Sequence, residues 1–149
     1  MKNKTFYFIA CLFLFSISFS GCKKNKGCTD KDSPNYNSNA TEDDGSCGYS
    51  AFIVFWYNQQ TATNLASAGY SNIKCTIDGS VVGTSPSSVH FATEPTCGQS
   101  GSLSITQSLG NNKSQSVNYV ITDASSGNVI WSGSLGLNNN VCIKKYLVF

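Results

Sequence analysis

The chain has 149 residues, with ten lysines, no arginine, eight acidic residues and a formal net charge of +2. So small a cationic surplus argues against nucleic acid as a partner and against any role steered by strong surface charge. The length suits one small domain with an N-terminal appendage.

The first element is an export signal. Lys2 and Lys4 provide a positive start, Phe6 to Phe19 is an apolar run broken by Ser16 and Ser18, and Ser20 and Gly21 follow. The run is short for a membrane span and has the layout of a cleaved signal peptide. The stretch "FSGC", ending at Cys22, resembles a bacterial lipobox, with Phe19 where Leu is usual, a departure met in lipoproteins of the Bacteroidetes. The resemblance implies a signal peptide over 1–21 and a lipidated Cys22 that ties the protein to a membrane. Each buried acyl methylene adds about 0.8 kcal/mol, so two or more chains hold stably. Removing 1–21 takes away Lys2 and Lys4 and leaves eight lysines against eight acids. A polar tether over 22–27 follows. Its Lys23, Lys24 and Lys26 occupy a place where surface-displayed lipoproteins of that phylum often carry acids, so an outer-membrane location is expected with the membrane face open.

Residues 28–48 form an Asx-rich unit with almost no apolar side chain. Its Cys28-Thr29-Asp30, Asn35-Tyr36-Asn37, Asn39-Ala40 and Asp43-Asp44-Gly45-Ser46-Cys47 resemble a short repeat of flavobacterial surface proteins. On that match Cys28 and Cys47 are expected to be bridged, which restricts the unfolded chain by roughly 3 kcal/mol in the entropy model. Burial alone cannot hold so polar a segment. Asp30, Asp32, Asn35, Asn37, Asn39, Asp43 and Asp44 supply enough oxygens for calcium. An EF-hand reading starting at Asn35 fails, because Ala40 stands where Gly is required and Ser46 where a bidentate Glu belongs. Asx turns within the unit are the favoured reading and calcium the alternative.

From about Ser50 the composition becomes that of an all-β domain, expected over 50–149 as an antiparallel β-sandwich of seven or eight strands. "SAFIVFWYN" is apolar on both faces, so it is either central or carries a binding surface. "TNLASAG" is the one stretch suited to a helical turn. Asp78-Gly79 marks a hairpin. "SVHFA" and "GSLSITQSL" read as strands, residues 116–136 as a second hairpin turning at Ser125 to Asn128, and "NVCIKKYLVF" as the closing strand. The order "IKCTIDGSVVGTS", "EPTCG" and "VIWSGSLGLNNNVCIKKYLV" resembles small β-sandwich modules of exported Bacteroidetes proteins and, more loosely, PEGA-type surface repeats.

With Cys11 in the signal and Cys22 acylated, five cysteines remain, an odd number in an oxidising compartment. The resembling modules carry cysteines at the positions of Cys97 and Cys142, which favours that bridge and leaves Cys75 buried; Cys75–Cys97 is the alternative. His90 is the single histidine, and no nucleophile elbow accompanies it, so catalysis is not expected. Trp56, Tyr57, Tyr70, Tyr119 and Trp131 either form a platform for sugar rings or fill the core, and core filling is favoured for both tryptophans. The expected role is a non-catalytic envelope adhesion or assembly module, with glycan binding as the alternative. The partners would be envelope proteins or glycans, and no cofactor is expected.

Overall fold

The structure, a computed structural model, describes residues 23–149. The expected signal segment, 1–21, and the expected lipidation site, Cys22, lie outside the described residues. The chain forms β1 (Lys26–Gly27), β2 (Glu42–Asp43), β3 (Tyr49–Trp56), α1 (Gln59–Ser67), β4 (Asn72–Ile77), β5 (Ser80–Pro86), β6 (Leu103–Gly110), β7 (Ser114–Asp123), β8 (Val129–Asn138) and β9 (Cys142–Tyr146). Seven longer strands make two sheets of a sandwich, ordered β6-β3-β9 and β5-β4-β7-β8. All neighbours in these sheets are antiparallel except β3 and β9, which run parallel. The closing strand therefore enters beside β3 in the same direction.

Period-two alternation decides which side chains meet. On β3, Tyr49, Ala51, Ile53 and Phe55 face inward and are buried. Ile53 lies in register with Ile105 on one side and Ile143 on the other, an isoleucine row across the sheet. The facing sheet contributes Ile73, Cys75, Ile77, Val117, Tyr119, Ile121 and Leu137 to the same core. Phe55 and Tyr119 meet across it with ring centroids 5.0 Å apart.

Both hairpin turns follow local chemistry. Asp78 (φ 47°) and Gly79 (φ 82°) form the two-residue loop between Ile77 and Ser80, the paired positive φ values of a type I′ turn. The β7–β8 turn is tied by Asp123, whose Oδ2 accepts the Ser126 amide at 2.7 Å and hydroxyl at 2.8 Å and the Ser125 amide at 3.2 Å.

The helix is longer than the single turn expected. Asn58 Oδ1 accepts the Thr61 amide at 3.0 Å and caps its start. Gly69 at φ 83° ends it in a Schellman arrangement, with Tyr70 N–H on Leu65 O and Gly69 N–H on Ala66 O. Leu65, fully buried, plugs the end of the sandwich where β3 finishes.

"SVHFA" is not a strand. Val89 N–H closes a turn on Pro86 O, and Phe91 N–H reaches Tyr57 O as a single bond. Residues 87–102 instead cross the outer face of the three-stranded sheet. They are fastened by Cys97–Cys142, by a 2.8 Å ion pair from Lys144 to Glu94, and by Gly98 N–H on Ser104 Oγ at 3.0 Å. Val54 on that face and Pro95 in the crossing are both fully buried. This explains a strand apolar on both sides: one face meets the core, the other the crossing segment.

Candidate functional site

At the end opposite the helix, the Asx-rich unit folds into a knob that caps the sandwich. The Cys28–Cys47 bridge is formed, and both sulfur-bearing residues belong to the same buried cluster as Tyr49 and Ala51. Residues 25–27, read as tether, are bonded into the knob. Asn25 O accepts the Thr41 and Glu42 amides, Thr41 Oγ1 accepts the Asn25 amide at 3.0 Å, and β1 pairs with β2. Lys24, just before this bonded segment, reaches Glu42 at 3.2 Å.

The knob docks through one cation. Lys113, in the β6–β7 turn, places Nζ 2.6 Å from Asp30 Oδ2 and 3.5 Å from Asp32 Oδ2. The ammonium lies 5.8 Å from the centroid of the Tyr49 ring, whose hydroxyl donates to Asp30 Oδ2 at 2.6 Å. Asn139 and Asn140 both donate to Asp32 O, and Asn111 donates to Gly45 O. Bonds from Lys113, Tyr49 and the Asp32 amide hold the Asp30 carboxyl down to about 2, and the Tyr49 and Lys113 values are raised in return by Asp30.

The calcium ligand set does not fit this geometry. Asp30 Oδ1 accepts the Asp32 amide, Asn37 Oδ1 the Asn39 amide, Asp43 Oδ1 the Gly45 amide and Asp44 Oδ1 the Ser46 amide, each at 3.0 Å. Asn35 Oδ1 accepts the Gly48 amide at 2.9 Å and also the Ser33 hydroxyl, while its Nδ2 donates to Ser46 O. Asp30, Asn37, Asp43 and Asp44 thus each turn one oxygen to the backbone two residues on as Asx turns, while Asn35 ties the two ends of the loop together. Where two carboxylates do converge, Asp30 and Asp32, the counter-charge is Lys113. Among the described residues no group of three or more His, Cys, Asp or Glu is arranged for a metal.

A titration tests this docking. An Asp30 value depressed to about 2 means that its stabilisation is complete above the ordinary carboxylate range and is lost progressively as pH falls from there through about 2. Lys113→Met removes the largest cause, so the Asp30 midpoint should rise toward the usual 3.8. Side-chain carboxyl NMR across pH 1.5–6 reads the shift; an unmoved midpoint would contradict the assignment.

The five aromatics considered as a platform do not share a surface. Tyr57 and Tyr119 are core residues, Tyr57 donating its hydroxyl to Ser87 O at 3.1 Å; burial pushes Tyr57 up to about 12. Trp56 is half-buried on the outer face against Tyr146, centroids 4.5 Å apart, with its indole N–H buried and unbonded. Trp131 and Tyr70 meet Phe149 edge-on at the helix end, and Trp131 Nε1 donates to Val148 O at 2.8 Å. Phe52 is an exposed aromatic in a concave setting. It lines a cleft of about 330 Å³ with Cys97, Gly98, Ser104, Ile105 and Thr106, and carries no charged side chain beside it.

His90 Nδ1 bonds Ser88 O at 2.9 Å. Asp78 Oδ1 accepts the Asn118 amide and Asp123 serves its own turn, so neither carboxylate is bonded to His90. Cys97–Cys142 is the second bridge, and Cys75 is left free and buried, its thiol pushed up to about 12 by desolvation. Lys113 and Tyr49, the residues that fix the knob, carry no local sequence signal; Lys113 meets Asp30 only after the sandwich brings the β6–β7 turn beside the start of β3.

Comparison of the chain with protein-family models, with curated proteins and with solved structures found no match.

Proposed function

We propose that the protein is an envelope lipoprotein, anchored by acylated Cys22, whose sandwich is a non-catalytic head for adhesion or assembly. The observation that carries the reading is the cysteine state. Of the five cysteines that follow Cys22, four are bridged and the fifth is buried, as expected for folding in an oxidising compartment. The bonded segment beginning at Asn25 supports a head held close to its anchor, because three extended residues span only about 10 Å.

Cys22→Ser should move the protein from the membrane fraction to the soluble fraction with both disulfides intact. Retention of Cys22→Ser at the membrane would contradict the anchor.

A second reading, glycan binding, is favoured by Phe52 alone: an exposed ring flanked by the Ser104 and Thr106 hydroxyls in an uncharged cleft suits the apolar face and polar rim of a neutral sugar. Retention of the wild type on cellulose or chitin, lost in Phe52→Ala, would support it. Passage of the wild type through both would remove it.

A further inference from the structure

The four-stranded sheet ends at β8, whose sequence "VIWSGSLGLN" has no Lys, Asp, Glu or Pro. Its own register shift, opposite Ile121 and Thr122, falls at Ile130 and leaves Trp131 to Asn138 in unbroken register with β7. Native edges are normally blunted by such residues, by bulges or by cover. The other three edges are protected in this way. β9 carries Lys144 and Lys145. β5 ends in Pro86 and has a register shift opposite Cys75 and Thr76. β6 lies against β5, close enough that a Cβ on Gly83 would stand 2.8 Å from Leu103 Cδ1.

The bonding polarity of β8 follows from one contact. Asn139 N–H donates to Lys113 O at 2.8 Å, and the 113–139 pair continues the Ser114–Asn138 register. Antiparallel alternation then turns the backbone groups of Trp131, Gly133, Leu135 and Leu137 toward β7. It turns those of Ser132, Ser134 and Gly136 away from it. Among the described residues these outward N–H and C=O groups have no partner. The side chains there are small, and a Cβ at Gly136 would meet nothing within 4 Å. A second strand meets no obstruction.

We propose that β8 pairs antiparallel with β8 of a second copy of this chain, about a two-fold axis at Ser134, making one continuous eight-stranded sheet. Self-pairing suits this edge because it holds no charge to oppose its own image, whereas β9 would set lysine against lysine. Centring on Ser134 sets Ser132 against Gly136 of the second copy, so all three outward residues engage in both copies. Contact along one edge falls in the small, weak class of interfaces, so association depends on concentration. The knob lies at the Asn138 end of β8, where Asn139 donates to Asp32 O. Antiparallel pairing therefore sets the two knobs at opposite ends. On the anchoring reading above, paired copies would bridge two membrane surfaces.

The test uses the full chain in detergent. Ser134→Cys should give a reductant-sensitive dimer, because a mutually bonded antiparallel pair holds its Cα atoms about 5.5 Å apart, within disulfide reach. Ser134→Pro removes an outward N–H and leaves the β7 ladder intact. It should sediment as a monomer with an unchanged unfolding midpoint, while the wild type shifts toward dimer as concentration rises. Should the proline variant unfold, Ser134→Lys opposes like charges at the axis and is expected to be monomeric. A wild type that stays monomeric up to on the order of 100 μM, or a Ser134→Cys adduct only with other polypeptides, overturns self-pairing. Pairing in detergent without clustering of reconstituted vesicles would keep the dimer and overturn the bridging of two membranes, while the Cys22→Ser fractionation tests the anchor by itself.

Discussion

Replacing Cys97 and Cys142 together with Ala is expected to lower the unfolding free energy by about 4 kcal/mol, from the loop-closure entropy of a bridge spanning 45 residues. The effect is expected to be global, because the bridge joins the crossing segment to β9, the strand that completes the three-stranded sheet. Without it the crossing is held by the Lys144–Glu94 pair, the Gly98–Ser104 bond and packing on Val54. Surface ion pairs contribute little, so protease cleavage within 88–101 should accelerate as well. Urea unfolding of the double variant measures the loss. Cys75 need not be replaced, since a buried thiol with so high a pKa stays inert. Removing Cys28–Cys47, which spans 19 residues, should cost about 3 kcal/mol and loosen the knob first.

The second large effect lies at the isoleucine row. Ile53→Ala should destabilise the sandwich by about 2–5 kcal/mol, because Ile53 is fully buried between Ile105 and Ile143 and its neighbours cannot collapse into the space. Phe52→Ala, one residue away, should cost no more than about 1 kcal/mol despite removing a larger side chain. Phe52 points to the opposite face and is 37% exposed. Chemical denaturation of the two variants under the same conditions reads the ratio; equal losses would contradict the assignment of faces.

Much of this architecture is legible locally. The Asp78-Gly79 turn, the Ser125–Asn128 turn and the alternation of β7 and β8 are each written within a few residues, where φ preference and period two decide the outcome. The helix at Gln59–Ser67 was only half visible. Its buried positions, Thr61, Ala62 and Leu65, are too few to show a period, although Asn58 and Gly69 mark both ends. "SVHFA" has strand composition, but five residues cannot reveal that their backbone makes one bond to β3 and then leaves the sheet. The parallel entry of β9 is a property of connectivity and has no signature in "CIKKY". In the knob, the residue types were legible and their use was not: Asp and Asn serve calcium or Asx turns equally well by type, and the cation that faces Asp30 and Asp32, Lys113, comes from a distant turn.

Mass spectrometry of the native protein, extracted under non-reducing conditions, addresses the central reading most directly. It should find Cys22 as the first residue with a diacylglyceryl group on its sulfur, both disulfides formed and Cys75 reduced. A chain retaining residues 1–21, with Cys22 unmodified and the remaining thiols reduced, would contradict it.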